Sequence, residues 1–477
     1  MYCSNRTNLI SLIFVPWLVS EAVQLHPISS YLIAWLGSFF IFYLTIISPQ
    51  RCIPEDIPIY AQVMRPIILV QVIFAGFMCC TSIFYFLNHT GFYPDDRTEN
   101  SFFETEDTEL LAKCQRLCLL AHCSIATGII SRIKADIQLR YKLTTAGLRP
   151  FLQIGILAYT AALLAELHPS LYQLTLPLRC ISCASGAYLL IKGMVGKKVF
   201  PAVFGGTLFL LHLLSSTLTG YKENIIVNII VLASIGFAYY RKWVIALAVP
   251  LLVTLTYVLP TFTIVFRKQS WEHHQSREEA RAQAYQTLTD ETKTPFIEKN
   301  SLDFLTHRLS EIGMFMTFVR NVPLWNPYSM QALENAVLVF VPRFFWDSKP
   351  SMEELAMERV YTAGVANRSS AVSAKTRPVV DGYLFGGSVG IFIYMLLYGV
   401  LAQSICNYAE QNFGGYPLGC IIIFNSVFQP LWRGNAFEFL LNNIVYGWLL
   451  MICIHKILLM TNTLVSNHEN NPHNAIL

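Results

Sequence analysis

Val341-Pro342-Arg343-Phe344-Phe345-Trp346-Asp347-Ser348-Lys349-Pro350 stands inside a polar stretch, Arg267 to Phe385, of a chain that is otherwise apolar. Apolar segments of membrane length flank that stretch on both sides. So long a connection between membrane helices is uncommon unless it carries a function. The cations continue beyond Pro350 with Arg359, Arg368, Lys375 and Arg377, and no acid stands between Arg359 and Asp381. Fixed cations at that density call for an anionic ligand.

Of 477 residues, 54% are hydrophobic and 13% charged. A soluble domain carries roughly 25% charged residues, so the composition specifies an integral membrane protein. A membrane helix needs about 20 mostly apolar residues, and the sequence offers about twelve such segments. Those before the polar stretch lie near 8–25, 30–48, 66–88, 113–133, 150–167, 171–192, 199–218, 224–240 and 243–265; those after it lie near 386–407, 416–432 and 436–461. The fourth is the weakest, since Arg116 and His122 interrupt it. The expected fold is an all-α polytopic membrane protein with one large helical loop. Residues 1–266 hold the first group of helices, 267–385 the loop, 386–462 the last helices and 463–477 a polar tail.

Charge asymmetry orients the helices. With the N-terminus cytoplasmic, one set of loops carries Arg51 and Arg65, then Arg132, Lys134, Arg140, Lys142 and Arg149, then Lys192, Lys197 and Lys198, then Arg241 and Lys242. The opposite short loops are nearly free of Lys and Arg, and Asn88 to Glu109 is acidic. The large loop then falls outside and the tail inside. The first apolar run, from near Leu9, lacks a small-x-small cleavage pattern and is expected to be a membrane helix rather than a removed signal. The cysteines lie in or beside apolar segments, where free Cys behaves as a small hydrophobe. Cys114, Cys118 and Cys123 recur at near-helical spacing without a good fourth zinc ligand.

Within the loop, Ser276 to Leu288 has helix-forming composition, ended by Pro295, and Leu302 to Val319 repeats apolar residues at helical spacing. Ala332 to Val341 is apolar but too short to span, which suits an interfacial or re-entrant helix limited by Pro342. Arg343 and Lys349 would then return to the bilayer surface beside Phe344, Phe345 and Trp346. There they either hold a lipid-borne phosphate, for which a guanidinium fork is well shaped, or simply anchor to headgroups. The run from Arg359 to Arg377 suits a loop closing on an anion or a solvated loop. Asp381 at a helix entrance is a base candidate or, more ordinarily, a cap. His307 is a general-base candidate near neutral pH, and Arg308 and Arg320 are further outer cations. Arg433, Asn435 and Glu438 sit between the last two helices, on the side of the loop, where Arg and Glu commonly form a structural pair. Glu166, Arg179, His212, Asn425 and Gln429 are polar within apolar segments, although Glu166 and Arg179 stand near helix ends. No P-loop, dinucleotide-binding glycine pattern or HExxH motif is present.

Three stretches carry a family resemblance: Arg308 within Phe304-Leu305-Thr306-His307-Arg308-Leu309, the Pro-Arg-x-x-Trp-x-x-Lys-Pro pattern of 342–350, and Asp381-Gly382-Tyr383-Leu384-Phe385-Gly386-Gly387 before a helix. Together, and in the order many helices, large outer loop, few helices, the chain resembles the Wzy-type polymerases of bacterial O-antigen and exopolysaccharide, which in turn resemble the O-antigen ligase superfamily. The family more often has a carboxylate before Tyr and then Asn-Phe-Gly; here that stretch is shifted. The resemblance implies a glycosyltransferase of the bacterial inner membrane that needs no metal or other cofactor. It would move a growing glycan from undecaprenyl diphosphate onto a lipid-linked repeat unit at the periplasmic face. Its partners would be that oligosaccharide lipid, membrane lipids and a chain-length regulator, not nucleic acid. Arg308, Arg343, Lys349, Arg368, Arg377 and Arg433 would bind the diphosphates, with Arg343, Asp381 and His307 at the reaction centre. The alternatives are a ligase of finished polymer and, in another class, a transporter of lipid-linked glycan.

Overall fold

The computed structural model describes residues 6–92, 105–145, 147–168, 171–219, 222–272, 275–324, 326, 328–341, 346, 351–368 and 375–467. Arg343 and Lys349, and with them most of the Pro-Arg-x-x-Trp-x-x-Lys-Pro pattern, lie outside the described residues. The protein is all-α but for one two-stranded pair, β1 (Tyr141–Leu143) with β2 (Leu464–Ser466), among those residues. Eight helical stretches are long and apolar enough to cross a membrane, against the twelve expected. Three expected spans are shorter or less apolar: α1 (Arg6–Ala22), the helix Arg149–Glu166 and the segment Tyr416–Val427. Two others merge into one helical run of 47 residues, Asn224–Ser270. A straight helix of that length measures about 70 Å, more than twice a hydrocarbon core of about 30 Å. Tyr240 breaks it with φ −126° and ψ 42°.

The first bundle contains α1, α2 (Pro27–Phe42, extended by a π-turn to Ile47), α3 (Leu69–Ala75), α4 (Ser82–His89) and α5 (Thr105–Arg132). The α5 helix, whose polar residues made it the weakest expected span, is the most enclosed: 89% of its apolar window is buried. The polar groups along its middle, Gln115, Arg116, His122 and Ser124, are buried against protein. Arg116 pairs with Glu21 at 3.0 Å and donates to Ser30 Oγ at 3.0 Å, and His122 packs against Phe42. Cys114, Cys118 and Cys123 are free and buried there. Where α5 meets α16 (Pro378–Asn412), Gly128 and Gly399 face each other. A Cβ on Gly399 would lie 2.3 Å from the carbonyl oxygen of Ile125, so only glycine permits this approach.

The second bundle is α6 (Arg149–Glu166), α7 (Tyr172–Val195), α8 (Val199–Thr219) and α9 (Lys222–Val253), continued by a π-turn and α10 (Leu259–Arg267). The final helices are α17 (Asn425–Val427), α18 (Gln429–Arg433) and α19 (Phe437–Met460), with α17 and α19 packed on α7.

The basic loops gather at one end. Arg6 donates to the carbonyls of Ser131 and Ile133, Arg241 stacks over Tyr60, and Lys192 donates to Tyr239. The strand pair joins the loop after α5 to the residues after α19. Arg65 ties this end together through Asp56 and Glu410, both at 2.7 Å. Burial opposes its charge, but the two carboxylates more than compensate and raise its pKa. Cys406, Glu410 and Cys420 place three ligand atoms within 4.8 Å. The Arg65 guanidinium already occupies both oxygens of Glu410, and its charge opposes a cation there.

The polar loop carries α11 (Arg277–Thr289), α12 (Thr294–Phe304), α13 (Ile312–Asn321), α14 (Tyr328–Val339) and α15 (Met352–Thr362). Ser276 and Glu279 form a capping box on α11. The chain leaves α11 at Asp290, and Pro295, expected to end that helix, instead begins α12, where a missing N–H is harmless. The single helix expected over Leu302–Val319 is divided. A π-turn, Leu305–Leu309, ends in extended Ser310, and α13 starts afresh. At the break the Thr81 hydroxyl lies 3.2 Å from the Leu309 carbonyl, although its shorter bond, 2.8 Å, is to the Phe77 carbonyl one turn back. Helix α14 turns Met330, Leu333, Val337 and Phe340 outward while Ala332 and Ala336 are buried. The first turns of α16 double back at Gly386–Gly387, where Gly387 adopts φ 61° and ψ −138°. A Cβ on Gly390 would come within 2.2 Å of the Gly382 carbonyl oxygen.

Candidate functional site

The break at Ser310 matters because it aims the π-turn into a cavity of about 1300 Å³ at the end opposite the basic loops. Helices α6, α7, α8 and α9 form one wall of this cavity. The π-turn before α13, the residues preceding α16, and α18 form the other. Five cations line it: Arg179, Arg308, Lys375, Arg377 and Arg433. They outnumber its two carboxylates, Glu166 and Glu311. His307 lines it beside Arg308 and meets Tyr85 edge to face.

Each cation is placed by local structure. Arg377 precedes α16, pairs with Glu311 at 2.8 Å, donates to the Gly434 carbonyl at 3.0 Å and stacks over Phe77. Gly434 bears φ 67° and ends α18, so the turn that presents Arg433 also receives Arg377. Arg433 itself donates to Gln429 Oε1 at 2.9 Å, one turn back along α18. Lys375 lies over the Phe439 ring, 4.6 Å from its centre. Arg308 is exposed and has no carboxylate partner among the described residues. Arg179 on α7 pairs with Glu166 on α6 and donates to Ser215 at 2.9 Å.

The structure thus brings His307, Arg308, Arg377 and Arg433 to one space. Asp381 is elsewhere. It is 2% exposed, lies 3.4 Å from Arg359, and accepts the N–H of Phe437 at 2.8 Å, capping the start of α19. Arg359, 4% exposed, grips Glu438 with both terminal nitrogens, one contact at 2.7 Å. Burial opposes the Arg359 charge, and Asp381 and Glu438 restore it and raise its pKa. Glu438 is therefore the partner of Arg359 and not of nearby Arg433. Arg368 also misses the cavity: it is exposed, pairs with Glu358 and lies over Tyr361. Arg320 pairs with Asp107.

Glu311 was not visible as a site residue in the sequence, because an unbroken helix over Leu302–Val319 gives no reason to single it out. Glu166, Arg179 and His212 stood out only as polar residues in apolar helices; three helices of the second bundle bring them to one wall. Chemically, the site offers guanidinium forks for an anion, two carboxylates and two imidazoles for proton transfer, and a wall of membrane helices.

No curated protein and no solved structure matches the chain. Over residues 15–466, a stretch that includes every residue of the cavity, the chain matches the family described as a domain of unknown function, DUF8712, and it belongs to that family.

Proposed function

We propose that the protein is a glycan polymerase of the bacterial inner membrane, transferring a growing polysaccharide from undecaprenyl diphosphate onto a lipid-linked repeat unit at the periplasmic face. The observation that carries this reading is the convergence of Arg308, Lys375, Arg377 and Arg433, from three stretches of chain, on one cavity walled by membrane helices. A lipid diphosphate needs that combination: forked cationic donors for its oxygens and an apolar flank for its tail.

In this scheme an acceptor hydroxyl attacks the anomeric carbon of the donor sugar and the bond to the diphosphate oxygen breaks. Charge grows on the leaving diphosphate, and the arginines stabilise it where it develops. His307 takes the acceptor's proton, and Glu311 holds Arg377 in position. Alignment of donor and acceptor in one cavity supplies much of the remaining rate. The outward apolar stripe of α14 supports a position of that helix at the bilayer surface, beside the cavity's lipid-facing substrate.

The topology that accompanies this reading is twelve crossings with both termini cytoplasmic. It is supported by the gathering of Arg6, Arg65, Lys192, Arg241 and the strand pair at one end, the break at Tyr240, and the cavity at the other end. Deleting the gene is expected to collapse long-chain glycan to single repeat units on a gel, and Arg308→Ala or Arg433→Ala is expected to fail to restore it with protein still present. Unchanged chain length in the deletion would overturn the reading. Intact polymer stranded on undecaprenyl diphosphate would identify a ligase, and movement of glycan lipid across vesicles without bond formation a transporter.

A further inference from the structure

The cavity has a second compartment of different chemistry, inside the second bundle. Thr175, Arg179 and Cys183 come from α7, His212 and Ser216 from α8, and Asn224 and Asn228 from α9. Cys183 stands eleven residues into α7, about 16 Å below its outer end. The one charged pair here, Arg179 with Glu166, is mutually neutralised. The remaining groups are hydroxyls, amides and an imidazole. Asn228 accepts from the Cys183 thiol and donates to Ser216, so the amide is already oriented by its neighbours.

Two side chains in this compartment are buried but unsatisfied. Thr175 is 7% exposed and His212 is 5% exposed, and both line the cavity; Thr175 Oγ1 and His212 Nε2 are turned away from its open space and have no hydrogen-bond partner among the described residues. A buried polar atom without a partner is costly, on the order of 1–3 kcal/mol. A helical threonine ordinarily escapes that cost by bonding a carbonyl one turn back, as Thr207 does to Val203. His212 has an edge-to-face contact with Tyr159 but, among the described residues, no hydrogen-bond partner at Nε2.

We infer that this inner compartment binds the sugar of the lipid-linked glycan, with the Thr175 and His212 side chains turning in place to bond its hydroxyls, while Arg308, Arg377 and Arg433 hold the diphosphate. The assignment rests on the lipid-diphosphate reading above and divides its cavity into a carrier site and a sugar site. A hexose presents several hydroxyls that both donate and accept. It therefore suits a neutral lining of hydroxyl, amide and imidazole groups better than an anion or a tail would. Sites that hydrogen-bond a hydroxyl discriminate strongly because their own groups are stranded by a ligand lacking it.

The test compares two probes on purified full-length protein in detergent: undecaprenyl diphosphate without sugar, and the lipid-linked glycan extracted from cells lacking the gene. Thr175→Val, which removes a hydroxyl at nearly constant volume, and His212→Phe are expected to weaken the glycan lipid by about tenfold each and leave undecaprenyl diphosphate unchanged. Arg433→Ala is expected to weaken both probes alike. Equal losses for the two probes, or no loss for either, in Thr175→Val would overturn the sugar assignment. Thr175→Val alone decides the matter if His212→Phe elutes as aggregate. Wild-type protein that binds neither probe would overturn the lipid-diphosphate reading itself, an outcome separable from the first.

Discussion

Arg359 and Arg377 stand eighteen positions apart, at the same end of the molecule, and are used in opposite ways. Arg359 is enclosed between α15, the entrance of α16 and the start of α19, with Glu438, Asp381 and Thr376 around its guanidinium. Its counterpart at the far end is Arg65, enclosed by Asp56, Gln62 and Glu410. Arg377, Arg308 and Arg433 instead border a cavity large enough for a ligand, with Glu311 the one carboxylate paired to this group among the described residues. The difference teaches that counting arginines in a polar loop does not locate an anion site. A guanidinium surrounded by carboxylates is mechanical, joining helices that would otherwise slide. One that faces a cavity in carboxylate deficit attracts a ligand.

The sharpest way to break this comparison is Glu438→Ala. It leaves Arg359 buried with only the more distant Asp381, and removal of one partner from a buried pair costs about 3–5 kcal/mol. Against a typical total stability of about 5–15 kcal/mol, the variant is expected to lose most of its membrane accumulation on immunoblots. Its surviving fraction should unfold at lower temperature. Normal accumulation with abolished glycan synthesis would move Arg359 into the site group.

Next in size, Arg308→Ala is expected to lower polymer formation about a hundredfold, the scale of losing one charge-stabilising donor, with thermal unfolding unchanged. A matching loss of stability would assign Arg308 to the mechanical class. Glu311→Gln is expected to cost less, about tenfold, since the Arg377 fork keeps its bond to the Gly434 carbonyl. Single-turnover rates on extracted glycan lipid would separate that loss from a folding defect. The smallest effect belongs to Arg368→Ala. Its exposed pair with Glu358 contributes about 0–1 kcal/mol at most, and glycan chain length on gels should match wild type.

The residues themselves explain how far each part was legible. Arg308 and Arg377 stood out in the sequence as cations of a polar loop dense in Lys and Arg, and Arg433 as a cation between two apolar segments. Arg368 stood out for the same reason and does not join them, because Glu358 sits one helix-end away. Asp381 had the two expected roles of base and cap, and the structure places its carboxylate on the first N–H of α19. Glu311 was hidden because helical periodicity continues across Ser310, where the backbone turns extended and a new helix begins. The α5 helix misled in the other direction: polar residues that weaken a lipid-facing span are tolerated in a helix surrounded by other helices.

By itself, then, the amino-acid sequence determined the solvent. Its apolar segments, their length and the asymmetry of their flanking charges specify a helical membrane protein with a polar stretch and distinguishable ends. These are properties of transfer from water to hydrocarbon, additive over neighbouring residues. Which cations face a cavity, which are locked to carboxylates, and that Thr175 and His212 meet on one wall were decided only by tertiary structure. Those outcomes depend on pairings between residues far apart in the chain, such as Arg359 with Glu438 and Arg377 with Glu311, and no local pattern encodes them.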